Sequence, residues 1–272
     1  MRGLCDLHTH STASDGQYTP AALVTRAKEE GITALALTDH DTTDGLAEAV
    51  WMGEALGVRV VQGIELSAKE YPTFHILGYG INPKAPALSA LCQEMREGRD
   101  MRSQRLIRFL KKQGVDIPLA EVEDIAGGSI IGRPHFAQIM VRHGYVSSNR
   151  EAFDRYLDTE AFHQQVERPK PTARVCIETI QAAGGKASLA HPYQIGIGDE
   201  ALEMLVQELV GYGLEAIECY YPQYLPEQQA FYLRLAERFH LHITGGSDFH
   251  GEKVKPGVEL AKLGLQIDWL PH

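Results

Sequence analysis

Residues 5–10 read CDLHTH, a short apolar segment that ends in two histidines two positions apart. In an extended strand, side chains two residues apart point to the same face, so His8 and His10 can reach one metal ion. Asp15 follows in the next polar loop. The segment therefore predicts a β-strand whose carboxyl end carries metal ligands.

Similar short segments recur along the chain and predict seven strands in all. With the first at about residues 3–7, they lie at about 32–38, 58–64, 74–79, 186–190, 214–219 and 241–246. Most are followed by a helical pattern. Thr19 and Pro20 begin one predicted helix and Gly31 ends it, while Gly57 ends the next. Later helices are predicted near residues 172–183, 200–210 and 226–239. This alternation predicts an α/β fold with seven strands.

The alternation stops between the fourth and fifth strands, where about 100 residues show helical patterns only. We therefore expect three segments: the first part of the α/β fold over 1–84, a helical insertion subdomain contributing to the substrate pocket over 85–168, and the rest of the α/β fold over 169–272. The stiff sequence RPKP at 168–171 is the expected junction. The charged run REGRDMRSQR at 96–105 is interpreted as a solvated helix face, with a substrate-facing basic surface as the alternative.

Composition limits the function classes. The net charge of −10, from 26 Lys and Arg against 36 Asp and Glu, opposes tight binding to long nucleic acid and favours small substrates. No apolar run suits a membrane-spanning helix and no signal segment is evident, so we expect a cytoplasmic protein with no membrane association. No obligate protein partner is evident from the sequence. The four scattered cysteines predict reduced thiols.

Imidazole or carboxylate side chains stand at the ends of six of the seven predicted strands, mostly at the carboxyl end, where β/α barrels form active sites. These candidate ligands are His8, His10, Asp15, His40, Glu65, His75, His191, Asp248 and His250. Six imidazoles and three carboxylates exceed the needs of one tetrahedral ion and predict two or three divalent ions, with Glu65 able to bridge two. The remaining histidines are expected to be structural: His143, His163, His240, His242 and His272.

Such a cluster lowers the pKa of bound water and holds the oxygens of a phosphate ester during displacement. Phosphate-ester hydrolysis by metal-activated hydroxide is therefore the chemistry it serves best.

The segments DLHTHSTASDG, LTDHDTTDG, GIELS, AHP and GSDFHG occur in this order along almost the whole chain. In these segments the chain resembles the polymerase-and-histidinol-phosphatase (PHP) metal-dependent phosphoesterases. The resemblance implies a distorted (β/α)7 barrel and a trinuclear centre, with manganese favoured and zinc or iron as alternatives. It also implies that the nine candidate side chains are the ligands, and that four of them take part in catalysis: His191, Asp248, His75 and Glu65.

The insertion and the segment IGRPHF at 131–136 resemble the branch that contains 3′,5′-nucleoside bisphosphate phosphatases and related 5′→3′ exonucleases. Gly132 and Pro134 predict a helix N-terminus with Pro134 at the first helical position, where an anion is favoured. Arg133 is expected to hold the phosphate that is not cleaved, with His135 assisting and Lys170 as a further candidate. The alternative for Arg133 is an intramolecular salt bridge.

The resulting expectation is removal of the 3′-phosphate from nucleoside 3′,5′-bisphosphates, together with trimming of short 5′-phosphorylated RNA or DNA. A histidinol-phosphate phosphatase is an alternative that needs no second phosphate site. An amidohydrolase is another, although a bridging lysine would be expected where this chain has Glu65, and Lys69 lies beyond the strand. A non-catalytic, metal-stabilised binding module is the alternative outside enzymology.

Overall fold

The computed structural model describes residues 3–127, 131–166 and 169–271 of the 272-residue chain. The chain divides into two compact units, one formed by Met1–Cys92 with Lys170–His272 and the other by Gln93–Pro169. Arg168 of the expected junction lies outside the described residues, as does His272. Among the described residues, no helix has the length and apolar character needed to cross a bilayer.

The first unit contains one seven-stranded sheet whose strands are neighbours in chain order. The strands are β1 (Cys5–Thr9), β2 (Ala34–Leu37), β3 (Arg59–Ser67), β4 (His75–Tyr79), β5 (Lys186–Leu189), β6 (Ala216–Tyr220) and β7 (His242–Gly245). A bridge between Thr9 and Phe249 brings the two ends of the sheet together. The predicted seven-stranded barrel is confirmed, and it is nearly closed.

The fourth strand runs against its neighbours. β4 is antiparallel to both β3 and β5, while the other paired strands are parallel. A loop over residues 68–74 joins β3 to β4, and no helix lies between them. His75 at the start of β4 therefore lies opposite Ser67 at the carboxyl end of β3. The reversal brings His75 to the barrel edge where the other strands end.

Ten α-helices lie among the described residues. They are α1 (Pro20–Glu29), α2 (Leu46–Leu56), α3 (Pro86–Lys112), α4 (Leu119–Ala126), α5 (Arg133–Arg142), α6 (Asn149–Ala152), α7 (Glu160–Val166), α8 (Ala173–Ala182), α9 (Asp199–Tyr212) and α10 (Pro226–Arg238). A π-helical turn covers Phe153–Leu157 and a 3-10 turn covers Pro192–Ile195.

The helix signals of the sequence are visible in the first unit. Thr19 caps α1 by accepting a hydrogen bond from the backbone N–H of Ala22 at 3.2 Å, and Pro20 is the first helical residue. Gly31 follows the end of α1 with φ +81°, and Gly57 ends α2 with φ +67°, a region in which glycine carries no steric penalty. These predicted helix boundaries are confirmed.

The barrel core consists of apolar side chains from neighbouring strands, including Leu7, Val61 and Leu77. Fully burying a Leu or Val side chain contributes about 1.5–3 kcal/mol, so such residues dominate the stability of this unit. The carboxyl-terminal segment joins the core, because Leu263 exchanges backbone hydrogen bonds with Cys5 at 2.9 and 3.0 Å. All four cysteines are free thiols, and three of them are buried.

The second unit contains most of α3 together with α4–α7, and it has its own apolar core around Leu110, Phe136 and Phe162. In α3, Arg99 is only 8% exposed and Ser103 only 1%. The interpretation of residues 96–105 as a solvated face is therefore wrong at these two positions, because this stretch of a long helix also packs against protein.

Candidate metal centre

The candidate ligands at the carboxyl ends of the barrel strands come together in the first unit. Three groups of side chains each place one donor atom within 4.8 Å of the others. The groups are His8 with His10, Glu65 and Asp248; His10 with Asp15, His40 and His250; and His40 with Glu65 and His75. The ninth, His191, contacts Glu65 through its Nε2 at 2.9 Å. All nine predicted side chains thus belong to one cluster.

Glu65 lies at the centre of this cluster and is fully buried. Its Oε1 is 2.7 Å from Nδ1 of His75 and 2.9 Å from Nε2 of His191. Its Oε2 lies 3.0–3.2 Å from ring nitrogens of three further histidines: His8, His10 and His40. The two oxygens face separate sets of imidazoles, which is the arrangement expected of a carboxylate that bridges two ions.

Asp248 also divides its two oxygens. Oδ1 faces the cluster at 3.2 Å from Nε2 of His10 and 3.6 Å from Nε2 of His8. Oδ2 accepts hydrogen bonds from Lys255 Nζ at 2.6 Å and from the Tyr221 hydroxyl at 2.8 Å. The second oxygen is therefore held outside the cluster while the first remains available for an ion.

Several buried donor atoms make no well-aligned hydrogen bond within the described part of the chain. They are Nε2 of His8, both ring nitrogens of His10, Oε2 of Glu65 and Nδ1 of His191. A buried polar atom without a partner costs about 1–3 kcal/mol, so such a concentration is unfavourable without a ligand. Divalent cations would satisfy three of these atoms, because Nε2 of His8 and Nε2 of His10 both lie 3.2 Å from Oε2 of Glu65. A nitrogen and oxygen donor set without thiolate suits manganese, iron or zinc. The residues fit a metal centre.

The charges of the metal-free cluster shift several pKa values. Burial by itself raises the pKa of Glu65, but His40, His75 and His8 outweigh it and hold the pKa well below its ordinary value. Burial lowers the pKa of His8, yet Glu65, Glu218 and Asp248 together raise it well above the ordinary value.

Other imidazoles of the cluster shift in different directions. Burial lowers the pKa of His75 to about 4 despite the neighbouring Glu65 carboxylate. Burial also acts to lower the pKa of His250, but Asp15 and Asp248 outweigh it and raise that pKa. The pKa of His10 is lowered by burial and by the neighbouring His250 and His40, although Glu65 and Asp248 face its ring. The direction of each shift thus follows from the balance among burial, facing carboxylates and neighbouring imidazoles.

Two residues of the cluster have strained backbones. His191 has φ +24° and Asp248 has φ +54°, values that non-glycine residues rarely adopt and that cost about 1–3 kcal/mol each. The backbone N–H of Asp248 donates to the His8 carbonyl at 2.8 Å. The strain is held by contacts that also position the donor atoms.

Buried carboxylates outside the ligand set support the loops. Asp39 accepts hydrogen bonds from the hydroxyls of Ser11 and Ser14 at 2.7 and 2.6 Å. Asp6 accepts from the backbone N–H groups of Ser247 at 3.0 Å and Ala261 at 2.7 Å. These contacts fix the loops that follow β1 and β7.

Three residues that touch the cluster were not predicted from the sequence: Glu218, Tyr221 and Lys255. Glu218 lies in β6, is fully buried, and has one oxygen 3.1 Å from Nδ1 of His8. β6 was the one predicted strand without a candidate ligand, so the strand-end rule applied to it could have found Glu218. Lys255 carries no comparable local signal, because its contact with the cluster depends on the fold of the loop after β7.

The structure places the expected phosphate-binding residues as follows. Arg133 makes an ion pair with Asp158 at 2.6 Å, which is the intramolecular alternative left open by the sequence. His135 is buried, and its Nδ1 accepts from the backbone N–H of Gly132 at 3.0 Å. α5 begins at Arg133, so Pro134 is its second residue and the expected first position is off by one. In the barrel unit, Lys170 donates to the Pro72 carbonyl at 3.1 Å.

Three of the histidines expected to be structural make side-chain contacts outside the cluster. His143 pairs with Glu121 at 2.7 Å, and His163 lies 3.2 Å from Asp158. His242 stacks on Trp269 with ring centroids 4.1 Å apart.

Three curated relatives match nearly the whole chain. The 5′-3′ exoribonuclease of Haemophilus influenzae is 35% identical, covering 90% of this chain and 89% of the relative. The phosphoribosyl 1,2-cyclic phosphate 1,2-diphosphodiesterase of Eggerthella lenta is 35% identical over 91% of this chain and 94% of the relative. The 3′,5′-nucleoside bisphosphate phosphatase of Chromobacterium violaceum is 34% identical over 90% and 86%.

Two solved structures share the fold. One is a candidate metal-dependent phosphoesterase from Bifidobacterium adolescentis, with a TM-score of 0.84 and 29% identity over 95% of this chain and 92% of that one. The other is an amidohydrolase from Chromobacterium violaceum with bound sulfate and no metal, with a TM-score of 0.85 and 31% identity over 97% and 94%.

The barrel, the clustered donor atoms and these relatives together define a metal-dependent phosphoesterase. A family profile described as the PHP domain matches residues 6–160. The chain belongs to the PHP domain family.

Proposed function

We propose that the protein removes the 3′-phosphate from nucleoside 3′,5′-bisphosphates, using three divalent ions held by the nine clustered side chains. The observation that carries this proposal is the position of Glu65, whose two oxygens face five imidazoles from separate strands and loops. A donor set of nitrogen and oxygen only suits manganese, zinc or iron, and we propose manganese as the resident ion with zinc and iron as the alternatives.

Divalent ions in this cluster would supply a water of lowered pKa and positive charge for the phosphate oxygens. We assign Glu65, His75, His191 and Asp248 to the reaction as well as to metal binding. Lys255 and the Tyr221 hydroxyl hold Oδ2 of Asp248, so the carboxylate is already oriented before a substrate arrives.

The names of the relatives support a phosphate ester attached to ribose as the substrate class. The exoribonuclease, the cyclic phosphate diphosphodiesterase and the bisphosphate phosphatase are 34–35% identical to this chain, so identity does not choose among them. The net charge of −10 favours the mononucleotide over a polymer. A 5′→3′ exonuclease acting on short 5′-phosphorylated RNA or DNA is the second candidate, supported by the exoribonuclease relative.

Two alternatives have less support. An amidohydrolase of the kind considered above would place a lysine where Glu65 lies, and Lys69 is instead exposed beyond the end of β3. Histidinol phosphate has a single phosphate and would make no use of Arg133, His135 or Lys170, whose assignment to the second phosphate is a prediction.

The first experiment measures phosphate released from adenosine 3′,5′-bisphosphate by the manganese-loaded protein. Histidinol phosphate, a ribose 1,2-cyclic phosphate and a 5′-phosphorylated oligoribonucleotide are assayed in parallel, the last by nucleotide release. We expect the highest kcat/KM with the bisphosphate. Preference for any other substrate would overturn the assignment, and preference for the oligonucleotide would support the second candidate.

Arg133→Ala tests the second-phosphate prediction. Loss of a charge-assisted contact of about 2 kcal/mol should lower kcat/KM for the bisphosphate by roughly 30-fold, while p-nitrophenyl phosphate, with one phosphate, changes little. Arg155→Ala is the matched control, because Arg155 pairs with Glu151 in the same unit. An equal loss of kcat/KM for the bisphosphate and for p-nitrophenyl phosphate would mean that Arg133 only stabilises the structure, through its ion pair with Asp158.

A further inference from the structure

We infer that Glu218 is a positioning residue that sets the metal affinity of the centre, through the ring of His8 and the backbone of His191. This inference rests on the metal centre of the proposed function. Glu218 comes from β6 and is fully buried beneath the ligand cluster. Each of its two carboxylate oxygens faces a different candidate ligand.

The first contact fixes the ring of His8. Oε1 of Glu218 lies 3.1 Å from Nδ1 of His8, on the side of the ring away from the other ligands. A neutral imidazole has one N–H, and a carboxylate can only accept, so the proton belongs on Nδ1. The lone pair is then on Nε2, which lies 3.2 Å from Oε2 of Glu65 and 3.6 Å from Oδ1 of Asp248. Glu218 therefore selects the tautomer that can bind an ion among these atoms.

The second contact fixes the backbone of His191. Oε2 of Glu218 accepts a hydrogen bond from the His191 N–H at 2.7 Å, and that residue is in the strained conformation with φ +24°. A strained conformation persists only where its surroundings hold it. In this position Nε2 of His191 lies 2.9 Å from Oε1 of Glu65. One buried carboxylate thus orients ligands on both sides of Glu65.

Glutamine has nearly the same shape but cannot make both contacts. If its amide oxygen accepts from the His191 N–H, its NH₂ group faces Nδ1 of His8 and forces the proton onto Nε2. If the amide is reversed, two donors face each other at His191. Glu218→Gln therefore tests the charge and hydrogen-bond pattern with little change in packing.

The experiment titrates metal-free protein with Zn²⁺ and Mn²⁺ against a chromophoric chelator and counts bound metal by mass spectrometry. Glu218→Gln should bind about 10–100-fold more weakly than wild type. Glu215→Gln is the matched control, because Glu215 lies just before β6 and pairs with Lys186 at 2.6 Å. The metal affinity of this control variant should equal that of the wild type.

Each outcome has a distinct meaning. If Glu218→Gln binds metal with wild-type affinity, the inference is overturned. If the metal affinity is unchanged and the melting temperature of the metal-free variant falls, Glu218 has a purely structural role, which also overturns the inference. Failure of the wild type to bind either metal overturns the proposed centre itself. Substrate plays no part in the titration, so a wrong substrate assignment leaves the result unaffected.

A second measurement covers the case in which Glu218→Gln does not fold. In Zn²⁺-loaded wild-type protein labelled with ¹⁵N-histidine, long-range ¹⁵N–¹H correlations report the tautomer of His8. We expect the proton on Nδ1. A proton on Nε2 would overturn the inference.

Discussion

Metal binding should displace about two protons per chain near pH 6, one from His8 and one from His250. Both imidazoles have raised pKa values in the metal-free cluster, because the surrounding carboxylates outweigh the effect of burial. Burial lowers the pKa of His75 to about 4, so this imidazole is already neutral near pH 6. The pKa of His10 is also lowered, by burial and by His250 and His40, so we assign neither displaced proton to it. Ligand imidazoles must be neutral, so each displaced proton makes binding tenfold weaker per pH unit of acidification.

The magnitude follows from the proton count. Two protons correspond to about 2.7 kcal/mol, or about a hundredfold in the overall association constant, per pH unit between roughly pH 5.5 and 6.5. Affinity is lost as the pH falls. The folding stability of the metal-free protein has the opposite pH dependence. The raised pKa values of His8 and His250 stabilise the fold at low pH, and this contribution is lost as the pH rises through those pKa values.

Calorimetric titration with Zn²⁺ at about pH 6, in two buffers of different ionisation enthalpy, measures the displaced protons directly. His143→Gln serves as the control, because His143 pairs with Glu121 in the second unit and should leave the count unchanged. Release of fewer than one proton per chain would refute the assignment of raised pKa values to His8 and His250. A changed count in the control would refute the assignment of the protons to the cluster.

Three substitutions test other parts of the site. Glu65→Gln removes the carboxylate between the two imidazole sets, and we expect the loss of at least one bound metal per chain by mass spectrometry. Lys255→Met removes one of the two donors to Oδ2 of Asp248 and leaves the Tyr221 hydroxyl, and a chelator titration should show metal affinity lowered about tenfold. In Gly246→Ala the added Cβ would lie 2.4 Å from Cβ of His8, so β1 must shift; we expect a lower melting temperature and weaker metal binding, measured by thermal unfolding and the same titration.

Each of these variants has a matched control. Glu215→Gln changes the same side chain outside the cluster, and Lys253→Met removes an exposed lysine from the same loop as Lys255. Gly211→Ala adds a Cβ that meets nothing within 4 Å. Effects equal to those of the controls would assign the losses to general destabilisation and contradict the roles given to Glu65, Lys255 and Gly246.

All seven strands could be predicted because each is a short apolar run bounded by glycine, proline or polar residues, a local property of the sequence. The direction of β4 is not a local property, and the sequence pattern for a strand is the same in either direction. The length of the connection was a usable signal, since a parallel crossover needs a dozen or more residues and the loop here covers only 68–74.

The candidate ligands were predictable for a related reason, since chemistry at a barrel edge requires polar residues where apolar runs end. The contacts of Arg133 were not, because its partner Asp158 is 25 residues away and meets it only after the helices of the second unit pack. Glu218 was missed because it lies within β6, two residues before its end, and its proximity to the strand end was the one local signal of its role. Tertiary contacts, rather than residue type, decide the role of both.

The reversed strand also accounts for the third group of donors. Ser67 pairs with His75 across β3 and β4, and Glu65 pairs with Leu77. Glu65 and Ser67 are two residues apart in β3, so their side chains lie on the same face of the sheet. His75 lies on that face too, because it pairs directly with Ser67. Glu65 and His75 are therefore diagonal neighbours. Diagonal neighbours are close enough for long side chains to meet, and Nδ1 of His75 reaches Oε1 of Glu65 at 2.7 Å. If β4 were parallel to β3, His75 would lie at the far end of a five-residue strand, about 13 Å from this edge, and could not contact Glu65.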